Sequence, residues 1–198
     1  NMLHMRMLRR FASSPWTTPS IEKRVNINHA IFHDDAVLTF IPLKARFAQS
    51  GGTIYLKSKG VIIIEFLPRD FNQAEGRAKI NPANKKIYPL QVENIYDYVS
   101  IGNNPVEWKR HNNVNDENKV LKFFRSEGGY SLKLETFTGN TLVDKKEFTM
   151  TVSEYYITRQ LLEYSIPYLM GWYPLGDPRL AENSLAAEEV SNNPFESI

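Results

Sequence analysis

The chain has 198 residues and 42% hydrophobic residues, enough for one domain with a real core plus tails. It has no cysteine, which excludes disulfide staples, thiolate metal sites and cysteine nucleophiles; no run of about eighteen apolar residues occurs, so no membrane-crossing helix and no membrane partner is expected. The net charge of +2 hides segregation: residues 37–86 carry nine Lys/Arg against three acids and 105–134 six against four, a clustering that suits a polyanion partner.

Residues 1–24 hold five Lys/Arg against one acid, and the stretch Met7-Leu8-Arg9-Arg10-Phe11-Ala12-Ser13-Ser14 is Arg- and Ser-containing with no acid before Glu22. That is the composition of a mitochondrial targeting segment, with a plain basic arm as the alternative. The body is expected to span 25–173. At its start His29 and His33 stand four apart near Asp34 and Asp35, a spacing that resembles metal ligands, but no His-Glu-x-x-His helix accompanies them and no metal site is assigned. Strand signals follow at 37–47, 53–59, 61–69 and 85–89, with Ser50-Gly51-Gly52 as a turn between the first two and Ser58-Lys59-Gly60 as a tight turn between the next two.

At 91–101, Val92, Ile95, Tyr96 and Val99 recur at helical spacing, and Gly102 is expected to close that helix. A second strand set is expected at 106–110, 119–125, 130–137 and 141–150, with hairpin turns at Glu127-Gly128-Gly129 and Thr138-Gly139-Asn140. Thr151-Val152-Ser153-Glu154 reads as a capping box opening a last helix. Its apolar stripe is expected to be Ile157, Leu161, Tyr164 and Tyr168, and Pro167 is expected to kink or break it. Residues 174–198, with one Arg against five acids, read as an acidic, solvated tail.

The expected fold is therefore α+β: two four-stranded antiparallel sheets, each followed by a helix, as a ββββα unit repeated. Alternation along strands places Lys44 with Arg46 on one face, and Tyr55 with Lys57 and Lys59 on another. Lys85 and Lys86 open a strand. Trp108 and Arg110 alternate with Lys109, while Lys122 and Lys133 sit in later strands, and Arg77 and Lys79 lie in a Gly/Asn-rich loop. Cations on adjacent strands with aromatics between them suit phosphate binding, with Tyr55 and Trp108 available either to stack on bases or to pack on neighbouring strands. Any single lysine reads as readily as a solvated surface residue. No G-x-S-x-G, P-loop or G-x-G-x-x-G is present, so no catalytic residue and no cofactor is expected.

Three stretches carry a family resemblance. Ser165-Ile166-Pro167-Tyr168-Leu169-Met170-Gly171-Trp172 resembles the C-terminal helix ending of the plant Whirly single-strand-binding proteins, Pro89 to Gly102 is similar to their first helix, and Gly60-Val61-Ile62-Ile63-Ile64-Glu65-Phe66-Leu67-Pro68 to a central strand. They fall in the same order at comparable spacing. The Lys-Gly-Lys-Ala-Ala-Leu stretch that those proteins use in higher assembly has only Leu43-Lys44-Ala45-Arg46-Phe47 opposite it. With the Arg-Arg leader, this departure resembles the kinetoplastid mitochondrial guide-RNA-binding proteins, which share the Whirly fold. The resemblance implies a mitochondrial matrix protein that binds guide RNA through its phosphates, promotes annealing to mRNA in RNA editing, and assembles with a homologous paralogue as a heterotetramer. The alternatives are a mitochondrial single-stranded-DNA-binding Whirly protein, and a scaffold with a basic protein-binding face.

Overall fold

A computed structural model describes residues 27–72, 77–101, 104–112 and 116–173. The expected arm at 1–24, the tail at 174–198 and the closing Gly102 lie outside the described residues. The chain forms β1 (His29–Phe32), β2 (Ala36–Leu43), β3 (Arg46–Ser50), β4 (Thr53–Ser58), β5 (Val61–Asn72), β6 (Arg77–Ile80), β7 (Lys86–Gln91), α1 (Val92–Val99), β8 (Val106–Asn112), β9 (Glu117–Ser126), β10 (Gly129–Thr138), β11 (Thr141–Thr151) and α2 (Val152–Leu169). One sheet has the order β1-β2-β5-β6 with β7 also on β5, the other is the meander β11-β10-β9-β8, and β3-β4 form a ribbon. The α+β plan of sheet, helix, sheet, helix holds.

The first half differs in detail from its sequence pattern. The 37–47 run breaks at Lys44 and Ala45 into β2 and β3. Ser58-Lys59-Gly60 is no hairpin turn: β4 pairs with β3, and β5 pairs with β2, so the chain runs on through Gly60 as one side of a long, bent hairpin. Its tip is the Gly51-Gly52 turn, both residues at positive φ, the backbone a two-residue hairpin turn requires. Gly60 is small for another reason. Its N–H donates to the Leu169 carbonyl at 2.7 Å, and a Cβ there would lie 2.8 Å from Leu169 Cδ2 and run into the Leu43 carbonyl oxygen. The bend in the hairpin is where the end of α2 rests. β1 and β6 are edge strands of four residues each, too short to show an alternation.

One core lies between the two sheets. Register brings Leu38 opposite Phe66 and Phe40 opposite Ile64 in the first sheet, and Leu132 between Phe123 and Phe148 in the second, all buried. From α1, Ile95, Tyr98 and Val99 enter this core; from α2, Tyr155, Leu162 and Leu169 do. Tyr98 stacks on Phe123 with centroids 4.3 Å apart, and its hydroxyl meets Met150 Sδ at 3.8 Å. The Tyr155 hydroxyl donates to the Tyr98 carbonyl at 3.3 Å.

Helical faces are the main correction. Tyr96 is 70% exposed and Tyr98 takes its place in the core. In α2 the buried residues are Tyr155, Thr158, Leu162 and Leu169, while Ile157, Leu161, Tyr164 and Tyr168 face outward. Periodicity found a real stripe but not the side of the helix that the fold uses. The helix also continues through Pro167 to Leu169. A proline this near the end costs at most one helical hydrogen bond, so the helix tolerates it. The capping box is present: Thr151 Oγ1 accepts from Glu154 N at 3.2 Å and Glu154 Oε2 accepts from Thr151 N at 2.8 Å.

The two histidines clamp β1 onto α2. His29 Nε2 meets Thr158 Oγ1 at 3.1 Å, and His33 Nε2 meets Glu154 Oε1 at 3.4 Å. Burial holds the His29 imidazole below its ordinary 6.5, against the opposing pull of the Glu154 charge. The folded chain therefore takes up a proton at His29 less readily than the unfolded one. Its contribution to stability is complete above that ordinary value and is lost as pH falls through the lower folded value. Urea midpoints measured between pH 8 and pH 5 should fall over the acid part of that range, and His29→Gln should flatten the fall. Gly60→Val should cost roughly 2–4 kcal/mol by the same assay, because the hairpin bend and the α2 terminus must part to admit it.

Candidate nucleic-acid interface

The ribbon carries the first group of cations. Phe47, Ile54 and Leu56 turn toward Ala45, Gly171 and Tyr173, which pins one face. The alternate positions Arg46, Tyr55 and Lys57 fall on the other face, all exposed, with Tyr55 half accessible. A bulge beside Arg46 sets it against Ser58 while Phe47 pairs with Leu56, so Lys57 and Ser58 together oppose Arg46. Lys44 is exposed in the bend between β2 and β3. Lys59, just past β4, forms an ion pair with Glu93 of α1 and so ties the ribbon to the first turn of that helix.

The outer face of the second sheet is neutralised within itself. Register sets Glu147, Lys133, Lys122 and Glu107 in one row across the four strands. Lys122 lies 2.8 Å from Glu135 and 3.7 Å from Glu107; Lys133 lies 2.5 Å from Glu135, and Lys109 3.1 Å from Glu107. Bonded first by Lys122 and then by Lys133, the Glu135 carboxyl is held below the usual carboxylate range. These lysines alternate with carboxylates and offer less free charge than their number implies.

The remaining expected residues divide further. Lys85 turns to Glu65 at 3.0 Å, whereas Lys86 crosses to Asp144 of the other sheet at 3.3 Å. Lys79 is exposed on β6 opposite Asp70. Arg77 belongs to β6, and its side chain lies outside the described residues. A single basic β-surface carrying all the expected cations is therefore not what the fold builds. Adjacent residues of a strand point oppositely, and the two sheets turn different faces to solvent.

A crevice gathers two of these cations, Lys109 and Arg110, with the expected aromatic Trp108. It lies where β7 and β8 meet the start of α1, has a volume of about 370 Å³, and is lined by Tyr88, Pro89, Gln91, Asn94, Glu107, Trp108, Lys109 and Arg110. Trp108 is buried and its indole N–H donates to Asp97 Oδ2 at 3.2 Å, so it forms a fixed wall and not an open stacking platform. Among the described residues Arg110 has no carboxylate partner; the aromatic hydroxyl of Tyr88 is the group whose proton it helps to release, against a larger upward push from burial. Behind Arg110 runs a row of Lys119, Thr136 and Asp144 on successive strands. Lys119 reaches toward the Ile87 carbonyl at 3.5 Å, and Lys146 pairs with Asp144 at 3.3 Å.

Sequence reasoning missed Lys119, Lys146, Gln91 and Asn94. Lys119 and Lys146 share parity with core residues Leu121 and Phe148, so alternation assigns them inward. Both are nevertheless partly exposed. Gln91 and Asn94 carry no charge and gave no signal.

No family model matches the sequence. The chain is 25% identical over 195 residues to "Single-stranded DNA-binding protein WHY1, chloroplastic" of Arabidopsis thaliana, covering 91% of this chain and 68% of that protein. Among solved structures it is similar to WHY3 from Arabidopsis thaliana, with a TM-score of 0.69, 21% identity and coverage of 81% of this chain and 98% of that one. It is likewise similar to the plant transcriptional regulator PBF-2, with a TM-score of 0.67, 20% identity and coverage of 77% and 95%.

The unequal pairing of these cations has a direct test. On a heparin column Arg110→Ala should elute at clearly lower salt than the parent chain, and Lys133→Ala should shift less, because Lys133 already faces Glu135. Equal shifts would mean that the outer face of the second sheet is as available to polyanions as the crevice.

Proposed function

We propose, from a chain that has the Whirly fold and is related in sequence to a Whirly protein, that it binds single-stranded nucleic acid without catalysis, with DNA as the first ligand. The observation that carries this reading is the similarity, over nearly the whole chain, to a relative named for binding single-stranded DNA. The geometry supports it. Exposed Arg46, Tyr55 and Lys57 share one ribbon face, and the Lys59–Glu93 pair leads from that ribbon to the crevice holding Arg110. Cations along such a path neutralise successive phosphates and release counterions, while an exposed tyrosine offers a stacking face to any base. No cofactor enters this mechanism.

Guide-RNA binding and annealing to mRNA draw support only from the leader and from the divergence at residues 43–47, and the similar proteins add none. An organellar location accords with the basic leader, and with a relative named as chloroplastic; the leader's composition favours the mitochondrial matrix.

Assembly is part of the reading. Tyr156, Ile157, Leu161, Tyr164 and Tyr168 form an outward apolar stripe on α2, and Tyr164 is 87% exposed. A stripe of this size marks an interface, and closed symmetry between like chains is its commonest use. The partner is a second copy or a homologous paralogue, as in a tetramer.

Competition between DNA and RNA oligomers of one sequence should show tighter DNA binding; tighter RNA binding would restore the guide-RNA reading. Arg46→Glu with Lys57→Glu should weaken binding across unrelated sequences and flatten its salt dependence. Leu161→Glu with Tyr164→Glu should reduce the native mass of the assembly to that of one chain while leaving the helical circular dichroism in place.

A further inference from the structure

Lys59 stands between the two cationic groups that a bound strand would join. It follows Ser58, which pairs with Arg46 at the foot of the ribbon, and its partner Glu93 lies between Gln91 and Asn94 of the crevice wall. In the free protein this cation is taken. Lys59 Nζ donates to Glu93 Oε1, and that hydrogen bond is the chief reason the Glu93 carboxyl sits below the usual carboxylate range. Neither backbone needs the pair to hold it in place. Gly60, next in the chain, donates its N–H to the Leu169 carbonyl at 2.7 Å, and α1 is rooted by Ile95 and Tyr98, both fully buried. Both paired side chains are open to water, Lys59 at 42% and Glu93 at 59%, so their attraction is screened and adds little to stability. An ion pair so placed is easily parted, and it lies where a phosphate has to pass.

We infer that Glu93 is a phosphate stand-in, which holds Lys59 in reserve between ribbon and crevice and yields it to a phosphate of the bound strand. This rests on the proposed single-strand binding and names a residue that sets its affinity. The exchange is matched in kind, since Lys59 gives up one anionic oxygen and takes another. The released carboxylate stays beside the positive end of α1, in whose first turn Glu93 lies, so it keeps a favourable environment. Because the pair has to part first, Glu93 weakens binding, and a chain without its charge binds more tightly.

Titration of a labelled deoxythymidine strand of about thirty residues with the full chain, at several salt concentrations, reads the exchange. Glu93→Gln should bind about three- to fivefold tighter than the parent. Its log–log slope of affinity against salt should steepen toward the roughly 0.7 that one further neutralised phosphate adds on a single strand. The gain has to come through the lysine: in a Lys59→Gln background, Glu93→Gln should gain less than about 1.5-fold. A larger gain there marks Glu93 as one more negative charge in the general field and overturns the stand-in. A gain below about twofold in the single variant overturns it as well. The thermal midpoint of Glu93→Gln should stay within about 3 °C of the parent's; a larger fall makes the pair a structural strut and refutes the exchange. If the parent binds no strand at all, the proposed single-strand binding itself fails, and the stand-in falls with it.

Discussion

Neither sheet of this protein can bury its apolar face alone, and the shared core between them is the constraint from which the rest follows. Tyr98 sits at its centre, fully buried, stacked on Phe123 of the second sheet and edge-on to Phe40 of the first. Burial of a ring this size contributes a few kcal/mol, and only a few residues make contacts of that breadth. Its hydroxyl is driven to remain protonated by complete desolvation, and it meets a thioether sulfur in place of a strong acceptor. The packing around it is dominated by area and shape.

That core fixes where the polar groups can meet. β7 of the first sheet runs straight into the eight-residue α1, and β8 of the second begins seven residues after its last residue, at Val106. So short a helix cannot carry the chain far, and its first turn stays over the gap between the two edge strands. Gln91 and Asn94 on one side, and residues 107–110 on the other, come to line one crevice for that reason. Close by, at the bend of the long hairpin, α2 rests where Gly60 and Gly171 permit contact with Leu169, Ala45 and Phe47. The ribbon beyond that bend is thereby held with one face packed and the other open. Both cationic groups are consequences of packing and not of charge attraction.

Charge itself is arranged more sparingly than composition implies. On the outer face of the second sheet, lysines and carboxylates alternate in register, so that Lys109, Lys122 and Lys133 satisfy Glu107 and Glu135. Exposed pairs of this kind add little to stability, but they do cancel field. Arg110 escapes because its neighbours across the sheet are Lys119 and an aromatic wall. A count of basic residues overestimates the binding surface wherever the partner strand carries acids at the same level.

Local chemistry was legible in the sequence. The hairpin turns at Gly51-Gly52, Gly128 and Gly139, the capping box at Thr151 and Glu154, the second-half meander and the order of sheets and helices all follow from backbone preferences and short-range hydrogen bonds, which the chain carries wherever it goes. The choice between two apolar faces of α2 was not legible. The buried row through Tyr155, Leu162 and Leu169 and the outward row through Leu161 and Tyr164 are both hydrophobic, and only the surface presented by the two sheets decides between them. Likewise Gly60 reads as a turn because glycine permits one, whereas the tertiary structure uses it for close approach. Which lysines are paired, and that two uncharged amides face a cavity, depends on strand register and on the separation of two sheets. Those distances arise between residues far apart in the chain, and no local pattern encodes them.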